Sequence, residues 1–102
     1  MPLYYAALLG FSTVTRLLFD AGAKVNTQDG RYSNALQAAS WGGHEQVVKM
    51  LLDAGAEVNA QGGVYGNALQ AASAGGHEQV VKTLLNAGAH QHQEGNTVLR
   101  SE

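Results

Sequence analysis

The residues of this 102-residue chain with the widest chemical reach are four histidines, and no cysteine accompanies them. An imidazole can act as general base, proton shuttle or metal ligand. His44 and His77 stand 33 residues apart, each after a glycine pair and before Glu-Gln-Val-Val. A residue that recurs at a fixed interval is most simply structural. His90 and His92, with Glu94, are close enough in the chain to hold a metal ion loosely. A structural zinc site closes a tetrahedron of ligands, and neither cysteines nor a helical ligand pair complete this set. The expectation is therefore a tail with incidental histidines and no metal. Ser12, Ser33, Ser40 and Ser73 have no evident base with an orienting partner, so nucleophilic catalysis has no support. Gly42-Gly43 and Gly62-Gly63 lack the Lys-Ser/Thr that follows a phosphate-binding loop. The chain is read as non-enzymatic, with no catalytic residue and no cofactor.

Trp41, the single tryptophan, invites a different chemistry: anchoring a partner. Its counterparts one interval away are Leu8 and Ala74, although the surrounding text is almost invariant. Residues 30–56 reappear at 63–89 with 22 of 27 positions identical. The other differences are Arg31 against Val64, Ser33 against Gly66, Met50 against Thr83 and Asp53 against Asn86. The loop differences and the Trp41 position give the candidate binding set: Trp41, Arg31, Ser33, Val64, Gly66, Ala74 and Leu8. Two readings of Trp41 stand side by side. Either it is an exposed anchor in a groove, or it packs on the adjacent repeat, against Leu8 or under a hairpin. Met50 and Thr83 fall on a second helix and are expected to tune packing.

The elements that must position these residues follow from the interval. A third, divergent copy opens the chain, with Gly10, Gly22 and Asn26 standing 33 before Gly43, Gly55 and Asn59. Such a period means stacked supersecondary units, none of which buries its apolar side alone. Asn34 is a good N-cap, and Gln37 three residues on is expected to reach back to the Asn34 amide, as Gln70 would to Asn67. Alanines allow a neighbouring helix to approach closely, and Gly42-Gly43 ends the helix. From His44 a second helix carries Val47, Val48, Leu51 and Leu52 in one stripe of 3.6-residue period. Glu45 and Lys49 fall four apart on its wet side, and Gly55 is placed as a left-handed cap. Residues 56–66 read as a projecting, hairpin-like loop anchored by Val58. The spacing predicts helix pairs at 2–9 with 12–21, 34–41 with 44–54, and 67–74 with 77–87.

This unit resembles the ankyrin repeat, whose signature runs Thr-Pro-Leu-His-x-Ala-Ala, then Gly-His, then Val-Val-x-x-Leu-Leu and Gly-Ala. Met1 to Ala7, Asn34 to Ala39 and Asn67 to Ala72 match its opening. Gly43-His44 and Gly76-His77 match the second element, and Gly55-Ala56 and Gly88-Ala89 the third. The Asn-Ala-Leu-Gln-Ala-Ala-Ser version looks most like arrays in large filamentous-fungal proteins, many with an upstream nucleotide-binding oligomerisation module. The resemblance implies an all-α solenoid of three helix-turn-helix units: an incomplete first repeat at 1–29, a second at 30–62 and a third at 63–95. Residues 96–102 are left as a tail or truncated fourth repeat. It further implies a non-catalytic protein-binding module whose concave face bears the position of Trp41. The alternative is a purely structural spacer in a longer array. Glu57-Val58-Asn59 resembles the asparagine context hydroxylated in some ankyrin proteins, although a turn asparagine is the stronger reading. The pattern departs from the family at both ends: Met1 replaces the capping Thr, and Gly95 to Leu99 echoes Gly66 to Leu69 at an offset of 29. The chain is accordingly read as a piece of a longer array or a truncated product. Leu3, Leu8 and Leu9 are expected to be poorly covered, and uncapped ends suggest self-association.

Six Lys/Arg against eight Asp/Glu, scattered along the chain, leave no basic stripe for nucleic acid. No apolar run is long enough to cross a bilayer. With no signal peptide, cysteine or Asn-x-Ser/Thr acceptor, the chain is expected to be intracellular, in the cytoplasm.

Overall fold

The computed structural model describes residues 2–28 and 31–89, which form six helices. In chain order they are α1 (Pro2–Leu9), α2 (Ser12–Asp20), α3 (Ala35–Gly42), α4 (Glu45–Asp53), α5 (Ala68–Ala74) and α6 (Glu78–Asn86). They make three pairs, and the described residues contain no strand beyond a single antiparallel bridge between Gly62 and Gly66. The fold is an all-α solenoid. The first helices α1, α3 and α5 pack in one row, and the second helices α2, α4 and α6 in another.

The composition of the two rows explains their packing. The first helices are short and alanine-rich, so Ala7, Ala38, Ala39 and Ala72 sit flush against neighbours with no exposed surface. Small side chains at these positions let the row close without voids. The second helices contribute one apolar stripe, in which Val47, Val48, Leu51, Val80 and Leu84 are buried. On the opposite side the Lys49 ammonium lies 3.3 Å from the Glu45 carboxylate, a solvated pair that adds little.

The helix pairs of the second and third repeats are closed at both ends by caps. Asn34 and Asn67 cap α3 and α5 with a side-chain oxygen that accepts from the amides of Gln37 and Gln70, each at 2.8 Å. The return half of the expected capping box is absent at Asn34. Its amide donates to the Tyr32 carbonyl at 3.1 Å, and the Gln37 side chain goes elsewhere. At the C-terminus of α4, the amides of Gly55 and Ala56 donate to the carbonyls of Leu52 and Leu51. Gly55 has φ of 97°, so this is a Schellman closure.

Leu3 corrects the expectation for the first repeat: it is buried in the core with Ala35 and Leu36, because α3 lies over α1. Leu8 is partly buried, and Leu9 is exposed. Tyr5, Phe11, Val14 and Leu17 are exposed as well. Val14 is 42% exposed, whereas its counterparts Val47 and Val80 are each 1% exposed with a repeat stacked against them. Residues 90–102 lie outside the described residues, and with them the His90/His92/Glu94 cluster and the end of the third repeat.

Candidate functional site

His44 and His77 tie neighbouring repeats together. The Nε2 atom of His44 lies 2.9 Å from the carbonyl oxygen of Leu8, and that of His77 lies 2.9 Å from the carbonyl of Trp41. A carbonyl can only accept, so Nε2 carries the proton and donates. Glycines admit the rings. A Cβ on Gly10 would meet His44 Nδ1 at 2.5 Å, and one on Gly43, which has φ of 72°, would overlap His77. The first repeat has Phe11 at the histidine position, and Leu9 stands where Gly42 and Gly75 make room for a ring. Glycine and histidine thus occur, or are lost, together.

Two further bridges run alongside. Asn26 donates from Nδ2 to the Gly55 carbonyl at 3.1 Å and accepts from the Glu57 amide at 2.8 Å. Asn59 repeats the first bond, to the Gly88 carbonyl at 3.1 Å. That work across the repeat boundary accounts for Asn59 better than local turn geometry does. Gln37, 3% exposed, donates to the carbonyls of Ala60 and Gly66 in the next loop at 3.1 and 3.4 Å. Its counterpart Tyr4 serves the preceding junction in the opposite sense, with its hydroxyl accepting from the Tyr32 amide at 2.9 Å.

Trp41 has two roles at one position. Its carbonyl belongs to the His77 bridge, and its ring belongs to an aromatic cluster. The indole meets Tyr32 edge-on at 5.8 Å and Tyr65 edge-on at 6.3 Å, while the two tyrosine rings lie parallel at 6.1 Å. Trp41 is partly buried, with its ring against one tyrosine from each of the two flanking hairpins. Such geometries favour each pair by about 0.5–1.5 kcal/mol beyond burial. The exposed Arg31 guanidinium lies 6.0 Å from the Tyr32 ring centre. The Val64 amide donates to the Arg31 carbonyl at 3.1 Å, so these two residues of adjacent loops are held side by side, with Val64 54% exposed.

Other members of the sequence-derived set are placed differently. Ser33 is only 5% exposed and has φ of 77°, the single non-glycine with positive φ among the described residues. It sits beneath Gly62 and Gly63 and offers a partner almost nothing. Gly66, its counterpart, has φ of 91° and gives its carbonyl to Gly62 and Gln37. Both belong to the loop backbone. Leu8 and Ala74 occupy the Trp41 position in their own repeats, partly buried and exposed respectively.

Tyr32 and Tyr65 are the residues that a search for differences passes over, because they are identical in the two repeats. The available signal was an aromatic residue two positions before each capping asparagine. Among the described residues no three His, Asp or Glu side chains gather as a metal site. An open groove of about 370 Å³ along the second helices is lined by Arg16, Glu45, Gln46, Lys49, Met50 and Asp53, a solvated mixture of charges. No helix among the described residues is long and apolar enough to cross a membrane.

Comparison with known proteins agrees with this architecture. A family model for ankyrin repeats in three copies matches residues 1–62, and one for ankyrin repeats in many copies matches 42–85. The ankyrin repeat domain of human ASB11 superposes with a TM-score of 0.83 at 32% identity, over 88% of this chain and 41% of that one. The azaphilone pigments biosynthesis cluster protein L of Monascus ruber is 54% identical in a 50-residue alignment that covers 42% of this chain and 11% of that protein. The chain therefore spans less than half of the solved domain and about a tenth of the curated relative. By its period, its caps and these matches, the chain belongs to the ankyrin repeat family.

Proposed function

We propose that the chain is a non-catalytic protein-binding module, a segment of a larger ankyrin-repeat protein, which engages its partner through the concave face built by the first helices and hairpin tips. Ankyrin repeats generally mediate protein–protein interaction, and the family and fold are typically non-catalytic. The observation that carries the reading is the Tyr32/Trp41/Tyr65 cluster with Arg31 and Val64 at its border. Aromatic and arginine side chains supply a disproportionate share of binding energy at interfaces. The cluster is assembled from two hairpins and one helix, so stacking of the repeats preorganises it. Its location inside the cell, in the cytoplasm, is part of the same proposal.

The near-identity of the second and third repeats favours the other reading, a spacer without a partner of its own. Selection from a displayed random dodecapeptide library on the immobilised chain separates the two. A binding module yields peptides whose capture is lost with Trp41→Ala, and a spacer yields none that depend on Trp41. The apolar residues exposed on the first repeat support a companion proposal, end-to-end association of copies. A sedimentation mass that stays monomeric at every concentration would remove that part.

A further inference from the structure

The partner's chemistry can be narrowed from how charge is distributed. Helices α1, α3 and α5 contain no charged residue, and the hairpin tips at 31–34 and 61–67 contain one, Arg31. The described carboxylates, Asp20, Glu45, Asp53, Glu57 and Glu78, all lie on the second helices or in the segments that follow them. None of them pairs with Arg31; Asp29, two positions before it, lies outside the described residues. The guanidinium rests over the Tyr32 ring at 6.0 Å, and its backbone is held by the Val64 amide. A guanidinium placed over a ring keeps its N–H edge free for two parallel bonds to a carboxylate.

We infer that this face recognises an extended peptide segment of apolar and planar residues carrying a carboxylate, the carboxylate seated on Arg31 and the planar residues on Tyr32, Trp41 and Tyr65. The inference rests on the protein-binding reading above and specifies its partner. A cationic ligand is disfavoured because Arg31 at the border of the cluster repels it. Nucleic acid is disfavoured because one cation neutralises too little of a phosphate backbone. A partner bearing a carboxylate meets the one charge among the described residues of this surface, and electrostatic complementarity of that kind sets specificity more than bulk affinity.

The same dodecapeptide selection tests the inference through its second readout. Peptides captured in a Trp41-dependent manner are expected to carry Asp, Glu or a free C-terminal carboxylate next to an aromatic residue or proline. Arg31→Gln should weaken them about tenfold or more, and Arg31→Lys should recover part of that loss. Replacing the peptide's Glu by Gln should weaken binding to the parent chain and make little difference to the Arg31→Gln chain. Synthetic versions with amidated ends assign the carboxylate to a side chain or to the C-terminus. Arg31 is exposed, so thermal unfolding followed by circular dichroism should be unchanged in both variants. Trp41-dependent peptides that bind the parent and Arg31→Gln chains equally would overturn the inference and leave the protein-binding reading standing. If no captured peptide depends on Trp41, both fall.

Discussion

The bridges between repeats and the aromatic cluster share Trp41 and ask different things of it. The bridge uses only its carbonyl, which accepts from His77, and the cluster uses only its ring. Leu8 supplies the same carbonyl to His44 in the preceding junction with an unrelated side chain. Stacking therefore constrains the backbone at this position and leaves the side chain free to vary. At the positions occupied by His44, His77, Asn26 and Asn59 the side chain itself makes the bond, and the residue type repeats. The contrast shows why a repeat protein can change its surface without losing its stack.

The comparison breaks first in the core. Leu51 has no exposed surface, and Leu51→Ala should lower unfolding free energy by about 2–5 kcal/mol, read by urea denaturation. A stack with two junctions has little reserve, so much of that sample should be unfolded at room temperature. A midpoint near the parent's would place Leu51 outside the load of the fold.

Gly43→Ala comes next, at about 2 kcal/mol, because it combines positive φ with overlap on the His77 ring. Adding His77→Ala to that variant should remove the overlap and leave the backbone strain. If the double variant loses the full sum of the two single effects, the glycine–histidine coupling is wrong. Gln37→Met should cost about 1–2 kcal/mol, since the Ala60 carbonyl loses this donor and the Gly66 carbonyl keeps only the Gly62 amide. Hydrogen exchange of the loop around Gly62 should accelerate in that variant. The smallest effect is expected at Ser33→Gly, where relief of the left-handed backbone, about 1 kcal/mol, offsets the loss of a small buried side chain. Its melting temperature should be no lower than the parent's.

Much of this was legible in the sequence, and the rest has a physical reason for having been hidden. Each helix lies within one or two residues of the interval that periodicity and caps predict, because those signals act within a few residues of chain. The identity of Asn34 as a cap was readable for the same reason. The spacing suggests a local capping role for Gln37, because its partners, Ala60 and Gly66, sit in another repeat and local spacing gives no hint of a bond across 23 and 29 positions. Ser33 enters the candidate binding set because it differs from Gly66. The difference records a shared left-handed backbone, where glycine is the ordinary choice. Tyr32 and Tyr65 are hidden from a reading that equates repetition with structure. In a stack, a repeated residue also builds a ladder, and these two rings become neighbours only once the repeats are in place.

The most direct test of the division between bridge and surface is the affinity of Trp41→Ala for a peptide selected on the parent chain, measured by calorimetry. Alanine keeps the carbonyl that His77 needs, and Ala74 already occupies the corresponding place in the third repeat. Binding should weaken by about 2 kcal/mol or more, roughly thirtyfold. Unfolding free energy should fall by about 1–3 kcal/mol, the scale of its two ring contacts. Unchanged affinity, together with a stability loss of about 3–5 kcal/mol, would contradict the account and assign Trp41 to packing alone.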